Sequence, residues 1–277
     1  MSTSATHPKS SATLFVDSHV HYYSCFDKFS LISSAVRNVE AAAARLAVSP
    51  AVGMLVLVEN YGSRDLSRLV SEVQRDRTGP WDAVATNEKS SVAVYREGVR
   101  RLVLLEGRQI RTAESLEVLA LDCTEDIPDG RPIRETLRAV SSAGAIAVIP
   151  WGFGKWWFGR GLLVNRLIEE EAHDLFFLGD NRGRPYLSPR PGQFRRAEEQ
   201  GRRVLPGTDP LPLPGEEVVV GSYGFVVSGP MDLDRPGESL RRYLQDPAVS
   251  PAPYGRGSSW LACLRKQLLL RTAARSS

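Results

Sequence analysis

Cysteine is scarce in this chain of 277 residues. Cys25, Cys123 and Cys263 are odd in number, far apart, and form no CxxC or Cys/His spacing. That excludes a disulfide framework and a cysteine-based zinc site, and it points to reduced thiols packed in or near the core, in a reducing compartment expected to be the cytoplasm. Long apolar runs are missing too: no stretch approaches the roughly 20 residues needed to cross a bilayer, so no transmembrane segment is expected. Residues 1–12 are rich in Ser and Thr, lack the apolar core of a secretion signal, and read as a disordered tail. Nor is there an excess of one charge. Thirty-five Lys and Arg against 32 Asp and Glu leave +3, with the basic residues scattered, so nothing requires nucleic acid as a partner.

What remains is a globular composition, 42% hydrophobic and 24% charged, at a length that suits one barrel-sized domain. Residues 14–20 and 51–58 read as strands with an Ala-rich helix at 36–46 between them, a βαβ unit. A helix at 64–73 precedes a strand-rich part with strands at 91–95, 101–105 and 116–121. Alternation resumes with a helix at 133–142, a strand at 145–150, a helix at 162–172, a strand at 175–178, a helix at 193–201 and a strand at 204–205. Residues 217–227 read as a final strand or hairpin. Repeated β then α implies a parallel sheet, and this many units imply a closed or nearly closed barrel over residues 13–250, which the family resemblance given below makes a distorted TIM-like (βα)7 barrel. Residues 251–277 are expected to form a helical tail, with Trp260, Leu261, Leu264 and Leu268 at helical spacing among Arg265, Lys266 and Arg271. That helix suits either docking on the barrel or a membrane surface or partner.

The sharpest chemical signal is Val16-Asp17-Ser18-His19-Val20-His21, a strand ending in His-x-His in a chain with only four histidines. Alternate strand residues face one side, so His19 and His21 project together, roughly 6–7 Å apart along the backbone, close enough to bind one metal or a pair. Imidazole suits Zn, Mn or Fe, and barrel enzymes place ligands at strand C-termini. The second signal is Val204-Leu205-Pro206-Gly207-Thr208-Asp209, whose carboxylate can bind the same metal and orient an attacking water, or can serve only as an Asx turn before Pro210.

These motifs, taken with Glu106-Gly107-Arg108-Gln109 and the helix leading into Ile149-Pro150, resemble in order the PHP family (polymerase and histidinol phosphatase). The resemblance implies a distorted seven-stranded barrel with a two- or three-metal centre that hydrolyses phosphoesters. It makes His19 and His21 the first ligand pair and Asp209 the late aspartate. The departures are specific: Gln109 stands where the family has a metal-bridging glutamate, Ile149-Pro150 where it has His-Pro, and residues 210–214 where a further histidine is expected. A neutral Gln cannot help hold two cations together and Ile ligates nothing, so one divalent metal, or none, is the expectation. The amidohydrolase superfamily also opens with His-x-His and closes with an aspartate, but it adds histidines on intermediate strands. Here only His173 is available, in a helical pattern where solvation is expected.

Two loops follow strands and therefore belong to the same face. Residues 151–160 carry aromatics that suit either a lid or a packing plug, with Lys155 and Arg160 as contacts for an anion. Residues 179–185 offer Asp180 as a compensating ligand and Arg184 as a phosphate clamp, or simply a polar turn. Glu59 and Glu106 are further strand-end carboxylates whose facing the pattern leaves open. The expectation is a metal-dependent phosphoesterase acting on a small anionic molecule, with two rivals: an inactive barrel kept as a binding or scaffold protein, and a C–N hydrolase.

Overall fold

The strand-forming segments are rich in β-branched and apolar residues, and the computed structural model, which describes residues 12–76 and 78–273, gathers them into one sheet wrapped by helices. In chain order the elements are β1 (Thr13–Val20), α1 (Lys28–Arg45), β2 (Ala51–Asn60), α2 (Asp65–Arg75), β3 (Asp82–Ala85), β4 (Ser91–Arg96), β5 (Val99–Arg111), β6 (Glu117–Leu121) and α3 (Ile133–Ser142). There follow β7 (Ile146–Pro150), α4 (Gly159–Glu170), β8 (Phe177–Asn181), α5 (Gly192–Glu199), β9 (Val204–Gly207), β10 (Tyr223–Val227), α6 (Pro236–Gln245), β11 (Ala252–Gly255) and α7 (Trp260–Ala273). Of the tail expected at 1–12, all but Ala12 lies outside the described residues.

Hydrogen-bonded neighbours run β11-β10-β1-β2-β5-β6-β7-β8-β9, with the β3–β4 hairpin attached along the first half of β5. The result is a distorted TIM-like barrel, nearly closed. The distortion has a definite place. β5 pairs parallel with β2, but β6 runs antiparallel to both β5 and β7, after which β7, β8 and β9 are parallel again. Strand β3 was not expected from the sequence, and three later segments also depart from its pattern. Residues 217–219, expected to open the last strand, belong instead to a 3-10 turn over Glu216–Val219, and β10 begins only at Tyr223. Helix α6, which starts on Pro236 and buries Leu240 and Leu244, was not anticipated. The segment expected as helical from 251 begins with β11, a strand added to β10.

Side-chain alternation divides the core in two. Leu14, Val16, Met54, Val56, Val58, Val103, Leu105, Leu119, Leu121, Val148, Phe177, Leu205 and Phe225 fill the barrel, and α6 closes one end with Leu240 and Leu244. The other strand faces pack outward on helices: Leu55, Leu57, Leu102 and Leu104 against α1 and α2, and Ala147, Ile149 and Leu178 against α3, α4 and α5. Each strand therefore carries a fixed inner phase, even-numbered in β2 and β7 and odd-numbered in β5, β6, β8 and β9.

Strand β1 obeys this rule only as far as Val16. Its register against β2 shifts between Asp17 and Val20, where three steps on β1 match two on β2. Such a bulge resets the alternation. Val20 consequently packs in the outer layer with Leu55 and Leu57.

The seam between β1 and β9 closes beside this bulge without a regular ladder. Asp17, fully buried, accepts from Thr208 N (2.8 Å), Thr208 Oγ1 (2.5 Å), Gly221 N (2.9 Å) and His19 N (3.4 Å). Ser18 Oγ donates to Pro206 O (2.9 Å) and Asp209 N to His19 O (2.7 Å). Burial pushes the Asp17 carboxyl up to about 7, opposed by those four donors, which favour the anion. Gly207 permits the close approach: a Cβ there would stand 2.6 Å from His19 N and 2.7 Å from His19 Cβ. Gly207→Ala is therefore expected to lower stability by about 1–3 kcal/mol in chemical denaturation. Gly192→Ala, at a position with nothing within 4 Å, should change it by under about 0.5 kcal/mol. Equal effects would show that the seam is not tightly packed.

Candidate metal centre

The bulge in β1 and the close approach of β9 bring three side chains to one point at the end of the barrel. His19 and His21 leave the end of β1, both buried, with their Nε2 atoms 3.1 Å apart. Asp209, just beyond β9, places Oδ1 3.4 Å from His19 Nε2 and 3.7 Å from His21 Nε2. Its backbone sits at φ 46, in the left-handed region that Asp tolerates better than most residues. Strain of this kind persists where surrounding bonds impose it, here the bond from Asp209 N to His19 O.

The three residues fit a single divalent cation. One donor atom from each lies within 4.8 Å of the others. Ligands about 2.0–2.2 Å from a tetrahedral ion stand roughly 3.3–3.6 Å apart, and the three observed separations fall around that range. Burial, with the neighbouring His19 adding to it, pulls the His21 imidazole down to about 4, so it is neutral and able to ligate at ordinary pH. Asn181 Nδ2 donates to Asp209 Oδ2 (2.8 Å) and to Trp151 O (2.8 Å). This turns the carboxylate so that its other oxygen faces the imidazoles.

The centre opens into a pocket of about 320 Å3 whose wall includes Gln109, Glu117, Trp151, Lys155, Asn181, Arg182 and Glu216. Helix α7 forms part of that wall through Cys263 and Lys266, and Lys266 Nζ is 2.7 Å from Glu216. The terminal helix thus docks on the barrel beside its mouth.

The expected residues divide between this pocket and other places. Gln109 lines it, on the inner phase of β5. Lys155 lines it as well, in an ion pair with Glu117. Arg160 does not: its guanidinium donates to Gly154 O (3.0 Å) and Ser115 O (3.5 Å), pinning the loop that carries it. That loop is neither lid nor plug throughout, since Trp151 and Phe153 line the pocket, Trp156 is buried against Phe194, and Phe158 is 90% exposed. Asp180 and Arg184, expected as ligand and clamp, bind each other instead. Arg184 donates from Nε (2.8 Å) and Nη2 (2.6 Å) and Tyr223 OH adds a third bond (2.8 Å), beside a separate pocket on the outer face. Asp180 is on the outer phase of β8, and Asn181 occupies the inner one. Glu59 and Glu106 also face outward. Arg108, 2% exposed, binds both, and Glu59 caps α2 through Leu66 N (2.8 Å). Ile149 packs in the outer layer, and His173 is exposed. Asn181, Glu117 and Arg182 were missed. The inner phase of β6 and β8, set by Leu119, Leu121 and Phe177, was the signal for the first two.

No protein family matches the chain, and no curated protein is similar to it. Among solved structures it is similar to PsfC from Pseudomonas syringae PB-5123, at 12% identity over 95% of this chain and 99% of that one, with a TM-score of 0.56. It also matches the lesion-specific endonuclease PfuEndoQ from Pyrococcus furiosus at 10% identity and TM-score 0.48, covering 87% of this chain and 57% of that one. Endonuclease Q bound to a 27-mer duplex with an abasic lesion matches at 10% identity and TM-score 0.44, over 87% and 58% of the two chains. The chain thus spans a little over half the length of the two endonuclease chains. The likeness to PsfC is one of fold, and the fold is PHP-like. Among the described residues no helix is long and apolar enough to cross a membrane.

The neutral His21 gives the metal-free protein a pH signature. An unfolded imidazole titrates near 6.5, whereas the folded one resists protonation until about 4. Its contribution is present above about pH 6.5 and lost as pH falls towards 4, on the order of 3 kcal/mol. Thermal melts of chelator-treated protein should fall across that window, and His21→Asn should flatten the fall. Identical pH profiles for the two proteins would refute the assignment.

Proposed function

We propose that the chain is a divergent metal-dependent hydrolase in which His19, His21 and Asp209 hold one divalent cation and the pocket beside them receives a small phosphoester. The observation that carries this reading is the convergence of two buried imidazoles and one oriented carboxylate at ligand spacing, at the mouth of a barrel. A cation bound there supplies Lewis acidity and makes water acidic enough to deprotonate near neutral pH. Asp209 would hold the cation through Oδ1, and Oδ2, positioned by the bond from Asn181, would be the atom to take a proton from the attacking water. Trp151 and Phe153 line one side of the pocket, and the Arg182 guanidinium in its wall is placed to offset the charge of the substrate.

A second reading, an inactive barrel kept for binding, is favoured by one specific observation. The other carboxylates of the pocket wall, Glu117 and Glu216, are each committed to a lysine, so the cation would have three protein ligands and one carboxylate charge.

Elemental analysis of protein purified without chelator tests both. One equivalent of Zn, Mn or Fe is expected, falling below about a tenth of that in His19→Ala. Asn181→Ala should weaken metal affinity about 10–100-fold by releasing the ligand carboxylate. Gln109→Glu should raise affinity by adding charge on the inner phase of β5. Hydrolysis of an aryl phosphate and not of an aryl amide should accompany the bound metal. Two equivalents in the parent would overturn the single-cation account, and no metal in the parent or in Gln109→Glu would leave the binding reading.

A further inference from the structure

Charge in the pocket wall is unevenly settled. Lys155 is paired with Glu117, Lys266 with Glu216, and Asp209 belongs to the ligand cluster. Among the described residues Arg182 has no carboxylate in ion-pair contact. The hydrogen bond given to its guanidinium is Nη1 to Ser258 Oγ at 3.2 Å, which leaves most of its five N–H donors for the pocket it lines. It is only partly exposed, and burial pulls its pKa down, a cost that the more distant Glu216 carboxylate, itself paired with Lys266, offsets only in part.

The backbone fixes this arginine against the candidate centre. Arg182 N donates to Gly207 O (3.2 Å), two residues before Asp209, and Arg182 O accepts from Ser258 N (2.9 Å). Its neighbour Asn181 holds the Asp209 carboxylate. One short segment, residues 181–182, thus orients a ligand oxygen and presents a guanidinium to the same pocket.

We propose that Arg182 is the substrate-anchoring residue of this site, donating to the non-bridging oxygens of a phosphoryl group, and that Lys155 and Lys266 serve mainly to hold Glu117 and Glu216 in the wall. The assignment to phosphate rests on the hydrolase reading above; the assignment to an oxyanion rests on Arg182 itself. A planar fork of donors matches phosphate in two-pronged fashion, and an arginine without a carboxylate gains more from an anion than a lysine already paired. Arg184, the other arginine of this loop, is closed to such a role by Asp180.

Isothermal titration with inorganic phosphate, sulfate and acetate tests this on chelator-treated and on metal-loaded protein. The parent should bind phosphate and sulfate, and acetate at least about tenfold more weakly. Arg182→Gln should weaken phosphate binding at least about tenfold, and Arg182→Lys, which keeps the charge and loses the fork, by an intermediate factor. Lys155→Gln should weaken it less than about threefold. Metal content measured on the same samples should be unchanged in both Arg182 variants. No phosphate binding by the parent, an Arg182→Gln affinity within threefold of the parent, or a larger loss in Lys155→Gln would each overturn the proposal, and acetate binding as tightly as phosphate would overturn the phosphoryl assignment. If the parent holds no metal yet Arg182-dependent phosphate binding persists, the hydrolase reading fails and the oxyanion site stands. Metal held at one equivalent with phosphate binding indifferent to Arg182 gives the reverse.

Discussion

The Asp17 carboxylate is the constraint from which the rest of the site follows. Its two oxygens accept from β1, from the residue after β9 and from the loop before β10, so one side chain joins three segments that no regular ladder unites at that point. Burying such a group is costly unless its hydrogen bonds are made, and here they are. The bonds fix the position of Thr208, and the position of Thr208 fixes Asp209. Gly207 is the steric counterpart, because only a residue without a Cβ lets β9 lie so near His19. Gly207-Thr208-Asp209 is a division of labour: Gly207 allows the close approach, Thr208 makes the attachment to Asp17, and Asp209 places its carboxylate beside the imidazoles.

The second constraint is the period of two. Inner-phase side chains are apolar through the barrel, and the side chain of the same phase at the mouth is the one that reaches the pocket: Gln109 after Val103, Leu105 and Gly107, Asn181 after Phe177 and Gly179, Glu117 before Leu119 and Leu121. β1 is the exception that makes the centre possible. Its inner phase is even, as Leu14 and Val16 show, and an unbroken strand would turn His19 and His21 towards the helices. The one-residue bulge after Asp17 reverses the phase and delivers both imidazoles inward.

This explains what could be read from the sequence and what could not. The barrel class follows from alternating β and α periods, and the pairing of His19 with His21 needs only the rule that i and i+2 share a face. The phase of Phe177, carried four residues further, points to Asn181 and not Asp180 as the residue that faces the pocket. Glu59 and Glu106 were decidable in the same way from Val58 and Leu105. Other features were not legible. Helix α6 offers the core little beyond Leu240, Tyr243 and Leu244, and its place at the barrel's closed end depends on long-range packing. The strand β11 exists because β10 offers an edge, and Arg160 bonds its own loop through a backbone path that no periodicity encodes. The bulge in β1 leaves no mark in composition and is visible only in the register with β2.

The departures from the PHP pattern also have a consistent electrostatic sense. A centre with several anionic ligands attracts several cations, and one with a single carboxylate does not. Here the inner phase of β5 carries neutral Gln109, and β7 presents Pro150 with Ile149 turned into the outer layer. The carboxylates that remain in the wall are neutralised by Lys155 and Lys266, the second supplied by α7. Recruiting Glu117 or Glu216 to a second cation would require breaking an ion pair and leaving a lysine beside the new charge, which repels it. The lysines therefore oppose a binuclear centre as well as reducing the anionic field that would exclude a phosphate. Among the described residues, Arg182 then stands as the pocket cation with no carboxylate in ion-pair contact, on the segment that also holds the carboxylate facing the imidazoles. Under the proposed reading, a pocket arranged in this way would favour one cation beside Asp209 and one anion beside Arg182.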